Sequence, residues 1–273
     1  LASGIKCSWK VTTVSNSYLH ELRRMSNGLE TLFEYEKGKC TGILNGIDYT
    51  VWNPEKDKYL TEHFSILDAD AGKERNKRIL CERFGLDPRK PLFIFIGRLV
   101  GEKGADLLPQ TIADSFKFIG RKMNFLVLGN GEAETEERLI KLKSIAQGDY
   151  NEFIGYNETL SHLMYAGADF LIMPSRVEPC GLNQLYAMRY GTIPVVRSTG
   201  GLKDTVIDIG EPGGYGITYN NATVGDITHG IYRAVSVYKQ KEVFRSIREK
   251  IMVLDFSWHR SAEEYLSLYQ SFQ

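Results

Sequence analysis

The most restrictive feature of this chain is a rhythm that begins near residue 92. Short, mostly apolar runs at residues 92–97, 125–129, 152–155, 170–174 and 192–196 are spaced by stretches such as 132–147, 158–166 and 181–190 that suit helices. Most of the runs close on glycine or a polar turn. They are largely continuous rather than alternating, the pattern of strands buried on both faces. Parallel strands need long crossovers, and helical crossovers cover the sheet on both sides. The pattern therefore predicts an α/β domain built on a Rossmann-like, doubly wound parallel sheet. In that architecture ligands bind beyond the carboxyl ends of the strands, so the loops after residues 97, 129, 155, 174 and 196 are expected on one rim.

The flanking stretches are read more coarsely. Residues 11–15 form a β-branched run, and Asn16 or Ser17 is a plausible N-cap for a helix to about Met25, which makes one βα unit. Residues 34–39 are charged and turn-like, 41–48 alternate around two glycines, and 45–55, ending in Trp52-Asn-Pro54, read as a hinge or linker. A helical pattern over 71–84 stops at Gly85, with Pro88 beyond it. After Tyr219 come helical segments near 224–240 and 242–253, then Asp255-Phe-Ser-Trp258 and an amphipathic helix over 261–269. Its Tyr265, Leu268 and Tyr269 have the spacing of packing residues.

Composition excludes several functions. With 34 basic and 34 acidic residues the chain has no global field to attract a polyanion, which argues against nucleic-acid binding, so any anion must meet a local site. The four cysteines, Cys7, Cys40, Cys81 and Cys180, lack CxxC spacing, which argues against zinc and a disulfide framework and favours a reducing compartment. No run approaches the roughly 18 apolar residues of a membrane span. The start has neither an initiator Met nor a signal-peptide layout and reads as a chain entered in mid-fold. The five histidines have no metal-ligand spacing, and GxSxG, Walker A and GxGxxG patterns do not occur.

Three stretches on the expected rim carry chemistry. Gly97-Arg-Leu-Val-Gly-Glu-Lys-Gly104 places Arg98 and Lys103 on a loop flanked by glycines, a combination that suits a diphosphate and equally suits a solvated surface loop. In Arg176-Val-Glu-Pro-Cys-Gly-Leu182, Glu178 is a carboxylate able to accept two sugar hydroxyls, while Cys180 and Gly181 stand at an expected helix start, where free amides bind phosphate. The bland reading makes Glu178 a helix N-terminal charge, Pro179 a first-turn proline and Cys180 a small buried hydrophobe. Ser198-Thr-Gly-Gly-Leu202 has a glycine pair that lets backbone approach a ligand or simply makes a turn. Tyr156 is an aromatic placed to stack on a nucleobase.

These residues resemble a family: bacterial glycogen synthases and plant starch synthases, retaining glucosyltransferases of the two-domain glycosyltransferase B fold. The similar text is Gly42-Ile-Leu-Asn-Gly-Ile-Asp48 with Trp52-Asn-Pro54, residues 98–104, Gly129-Asn-Gly-Glu132, Ile154-Gly-Tyr156, residues 174–186, residues 197–206 and Asp255-Phe-Ser-Trp258, in order over nearly the whole chain. The resemblance implies that Arg98 and Lys103 bind the distal phosphate of ADP-glucose and stabilise the departing diphosphate, with Glu178 and the Cys180-Gly181 backbone on the glucose hydroxyls. It places Tyr156 against adenine and Thr199 and Gly200 along phosphate and sugar. Gly97, Arg176, Pro179, Leu182 and Gly201 complete the implied donor site. It further implies glucose transfer to the non-reducing end of an α-1,4-glucan with retention, by front-face attack, without metal or other cofactor, in the cytoplasm or, in a plant, the plastid stroma. Tyr186 stands where some wider relatives have a second glutamate, which favours the glycogen-synthase branch.

The family's amino-terminal domain carries a Lys-x-Gly-Gly-Leu motif that does not occur here. Residues 1–45 accordingly resemble the tail of an acceptor-side domain, 46–253 the nucleotide-sugar-binding domain, and 254–273 the helix that crosses back, here with little to pack on. The expectation is a truncated, donor-binding part that lacks its amino-terminal partner domain and does not elongate glucan alone. Two alternatives stay open at this point: a retaining transferase that uses a UDP-sugar with another acceptor, and a non-catalytic nucleotide- or glucan-sensing module.

Overall fold

A computed structural model describes residues 1–272. The chain opens with α1 (Ala2–Cys7), β1 (Val11–Thr13), α2 (Asn16–Leu22), α3 (Glu30–Tyr35) and β2 (Cys40–Gly42). Strands β1 and β2 pair in parallel with Val11 opposite Cys40, so the expected βα unit gains a return strand. Ser15 caps α2, its side chain accepting from the Tyr18 amide.

The main domain follows as α4 (Ala69–Phe84), β3 (Leu92–Ile96), α5 (Leu108–Phe118), β4 (Asn124–Gly129), α6 (Ala133–Ala146), β5 (Tyr150–Ile154), α7 (Glu158–Gly167), β6 (Phe170–Met173), α8 (Asn183–Arg189), β7 (Ile193–Arg197), α9 (Gly200–Thr205) and β8 (Ile217–Tyr219), closed by α10 (Val224–Lys239), α11 (Lys241–Met252) and α12 (Trp258–Gln270). Six parallel strands lie in the order β5-β4-β3-β6-β7-β8. The chain builds outward from β3 in one direction, returns beside it as β6, and builds outward in the other. The order reverses between β3 and β6, and there the loops after the two strands part and leave a crevice.

Strand periodicity divides the core. Phe93, Phe125 and Phe170 point to one face, where Phe93 stacks on Phe170 at 4.7 Å, and Leu92, Ile94, Leu126 and Leu171 fill the other. Each fully buried side chain contributes about 1.5–3 kcal/mol. This two-faced burial is why the strands read as continuous apolar runs.

At the amino-terminal ends of β3 and β6, beside α4, the core becomes ionic. Asp169, just before β6, accepts from Lys77 Nζ at 2.6 Å, the Leu92 amide at 2.9 Å and Arg248 at 3.2 Å. Burial alone would raise its carboxyl, but Lys77 and Arg248 outweigh that and hold it below the usual range. Lys73 is buried nearby without a carboxylate partner of its own and donates to the carbonyls of Tyr165, Ala166 and Tyr190 and to Thr192 Oγ1. Burial, followed by the charge of Arg248, pushes its amine well down.

Several expectations are corrected. Helix α8 begins at Asn183, not at 181, because Gly181 is left-handed with φ 71°. Helix α5 fills the gap between the first two runs, as expected, whereas helices α1, α3 and α9 and strands β2 and β8 were not foreseen; the two strands are three residues each, too short for a periodic signal. The last helix starts at Trp258; Ser261 is buried on it, Tyr265 and Leu268 are half-buried, and Tyr269 is 59% exposed. The stretch taken for a linker is firmly attached. Trp52 stacks between His162 and Tyr186 at 3.9 and 3.7 Å, Asp57 accepts from His162 and Tyr190, and Ile47 bridges to Ser257. Among the described residues no helix is long and apolar enough to cross a membrane.

Replacing Asp169 with Asn leaves Lys77 buried without its counter-charge and Arg248 with Asp70 alone. The expected cost is about 3–5 kcal/mol, read as a lower urea midpoint with an unchanged m-value.

Candidate functional site

The crevice between β3 and β6 is closed by their two loops, and an ion pair at the cavity mouth spans it. Lys103 Nζ lies 2.9 and 2.8 Å from the two carboxylate oxygens of Glu178, and Ser175 Oγ donates to Glu178 Oε2 at 3.0 Å. Glu178 is buried while Lys103 keeps 22% of its side chain exposed, so the pair is anchored on the carboxylate side and open on the amine side.

Backbone contacts set this distance. Gly104 is left-handed, with φ 68°, and a Cβ there would lie 2.2 Å from the Pro174 carbonyl oxygen, so only glycine lets the first loop press on the second. The Arg176 amide donates to the Glu102 carbonyl at 2.8 Å. The Arg176 guanidinium donates in a fork to Asp106, at 2.6 and 2.8 Å, and to the Gly101 carbonyl. Asp106 accordingly lies below the usual carboxylate range, with the Arg176 hydrogen bonds as the leading cause. In this arrangement Arg176 ties the two loops together and does not present a free cation.

The third loop meets the second through its glycines. A Cβ on Gly200 would lie 2.0 Å from the Glu178 carbonyl oxygen and one on Gly201 1.9 Å from that of Cys180, while the Gly201 amide donates to the Glu178 carbonyl at 3.0 Å. The close approach expected of this glycine pair is made here to protein backbone. Thr199 is buried, and its hydroxyl and the Gly200 amide both donate to Glu21 Oε1 at 2.8 Å.

These contacts enclose a cavity of about 370 Å³ beside Lys103 and Glu178. Of the residues singled out from sequence, Gly97, Lys103, Glu178, Pro179, Cys180, Gly181 and Leu182 line it; Arg98, Tyr156, Arg176, Thr199, Gly200 and Gly201 do not. Arg98 is 65% exposed, with Glu102 at 3.6 Å as its carboxylate neighbour, and Tyr156 is 84% exposed on the same rim. The amides of Cys180 and Gly181 donate to no acceptor among the described residues and remain available to an anion. Burial raises the Cys180 thiol, and the side chain forms part of the cavity wall. Among the described residues no group of three or more His, Cys, Asp or Glu side chains is arranged to hold a metal. A hollow of about 400 Å³ at the amino-terminal end of the central strands is lined by Lys73, Lys77, Asp169 and Arg248, whose polar atoms are engaged with one another, with backbone, or with Thr192 and Asp70.

Sequence reasoning missed Val14, Asn45, Phe95, Met173, Ser175 and Asn183 in the cavity wall. Ser175 was accessible to it, standing three residues before Glu178 on a strand end. Val14 and Asn45 come from the first 45 residues, in the β-branched run and the Gly42–Asp48 stretch, where nothing local marked them as site residues.

The match with a family model described as "Glycosyl transferases group 1" covers residues 76–248. A glycogen synthase from Flavobacterium johnsoniae is 54% identical over 98% of this chain and 57% of its own length. One from Exiguobacterium sibiricum is 40% identical over 99% of this chain and 56% of its own length. Among solved structures, the catalytic domain of Arabidopsis thaliana starch synthase IV bound to ADP and acarbose superposes with a TM-score of 0.90 at 37% identity, covering 99% of this chain and 57% of that one. The chain thus spans a little over half the length of these relatives, and its parallel α/β fold is that of glycosyltransferases of the B type.

Gly104→Ala is expected to cost about 1–3 kcal/mol through backbone overpacking. Gly101→Ala, whose added Cβ has only Arg176 within 4 Å, at 3.9 Å, should stay within about 0.5 kcal/mol. Paired thermal and urea melts check both.

Proposed function

Because this chain belongs to the glycosyl transferases group 1 family, we propose that it forms the donor-binding part of a glycogen or starch synthase, which transfers glucose from ADP-glucose to the non-reducing end of an α-1,4-glucan with retention. The observation that carries the proposal is the Lys103–Glu178 pair at the mouth of a cavity lined by the Cys180-Gly181 backbone.

A glycosyl diphosphate asks two things of a site. Its sugar needs acceptors for hydroxyl protons, and its phosphates need positive charge that counts most as the bond breaks and negative charge gathers on the leaving group. Glu178 supplies acceptors from a buried, fixed position. Lys103, the open side of the pair, turns its remaining hydrogen-bonding capacity to the distal phosphate. The amides of Cys180 and Gly181 provide further donors on the same wall. Arg98 and Tyr156 stand out on the rim, the first to reach the diphosphate and the second to lie against the adenine. The reading assigns no metal or other cofactor to the reaction. It places the glucan acceptor and an amino-terminal domain across the cavity from Glu178, in a cytoplasmic or plastid setting. Attack from the face the diphosphate leaves then gives retention without a protein nucleophile.

Isothermal titration of ADP-glucose into the 273-residue chain tests this. Saturable binding is expected, with Lys103→Ala and Glu178→Ala each weakening it at least about tenfold, the loss of one or more charge-assisted hydrogen bonds. UDP-glucose should displace ADP-glucose only at higher concentration. Absence of binding, or preference for UDP-glucose, contradicts the assignment.

A further inference from the structure

The donor turn is held from a direction that the family reading does not assign. Its carbonyls at Glu178 and Pro179 are both gripped: the first by the Gly201 amide at 3.0 Å, the second by Ser15 Oγ at 2.5 Å. Ser15 is fully buried and stands next to Val14, which lines the cavity. Nearly two turns further along α2, Glu21 Oε1 accepts both the Thr199 hydroxyl and the Gly200 amide at 2.8 Å. Thr199 occupies the N-cap position of α9 but makes no side-chain cap of its own; its hydroxyl is turned to Glu21, which supplies the acceptor instead.

Resting on the donor-site reading above, we propose that Glu21, seconded by Ser15, is a positioning residue of that site: it fixes the start of α9, and through Gly200 and Gly201 it fixes the backbone that aims Glu178. The glycines transmit position faithfully because their Cα atoms touch the Glu178 and Cys180 carbonyls with no side chain between. Glu21 touches no substrate; it acts through protein backbone alone. A rival arrangement makes the opposite demand. If the Thr199 hydroxyl and Gly200 amide bound the donor phosphates themselves, the Glu21 carboxylate would have to leave first, and it would be an inhibitor of binding.

The sign of one measurement separates the two. Titration of ADP-glucose into the 273-residue chain should show Glu21→Ala binding about tenfold more weakly, the loss of a charge-assisted acceptor. Glu21→Gln, which keeps an acceptor oxygen at the same reach, should recover most of that affinity. Ser17 hydrogen-bonds Asp204 at 3.0 and 2.5 Å and so docks α2 on α9 without touching the glycine pair. Ser17→Ala should lower the thermal midpoint while changing affinity by less than about twofold, near the limit of what 0.4 kcal/mol produces. Unchanged or tighter binding by Glu21→Ala overturns the proposal, as does an equal loss from Ser17→Ala, which would mean that docking alone matters. If the unsubstituted chain binds no ADP-glucose, the donor-site reading fails first and this inference falls with it.

Discussion

The adjacency of β3 and β6 is the constraint on which the molecule depends. Only two residue pairs, Phe93 with Phe170 and Ile94 with Leu171, are in register between these central strands. The short contact is reinforced at both ends by charge. At one end Asp169 reaches across to the Leu92 amide while neutralising Lys77 and Arg248; at the other, Lys103 reaches across to Glu178. The two ion pairs differ in solvent access, and the difference matches their roles. Lys77 and Asp169 are both 6% exposed and lock the amino-terminal end of the central strands. Lys103 is partly open to solvent, as the proposed exchange of its contact with a ligand requires.

The architecture was legible because its driving force is local and repetitive. Runs such as 92–97 and 125–129 are apolar on both faces, and only a covered parallel sheet satisfies them. Boundaries were less legible where one backbone angle decides them: Gly181 looked like a helix start and is a left-handed residue before it. Strand β2 escaped notice because Cys40-Thr-Gly42 owes its conformation to pairing with β1 and not to its own propensity. In the site, residues carried by the loops after β3 and β6 were found and do converge. The roles of Arg176 and the Thr199-Gly200-Gly201 group were not legible, since a cation tied to Asp106 and a glycine pressed on a carbonyl look the same in sequence as free ones.

The first 45 residues illustrate the limit of reading segments one at a time. Nothing in Val14, Ser15 or Glu21 alone suggests a binding site, and the stretch forms only a small two-stranded sheet of its own. Folded, it supplies a cavity wall and three hydrogen bonds to the loops after β6 and β7. Its contribution to the site is long-range in sequence and short-range in space.

The mutual neutralisation of Lys103 and Glu178 also has a kinetic meaning. With the lysine engaged, and with equal numbers of acidic and basic residues overall, the cavity exerts little pull on a distant anion. On the proposed donor-site reading, the exposed Arg98 is the cation an arriving phosphate meets first, in water-like dielectric and subject to screening by salt. Contact with Lys103 comes only after the anion has shed water and shares the amine with the carboxylate. Capture therefore divides into a loose, ionic-strength-dependent encounter at the rim and a slower, drier exchange of partners inside, and the second step sets how long the ligand stays.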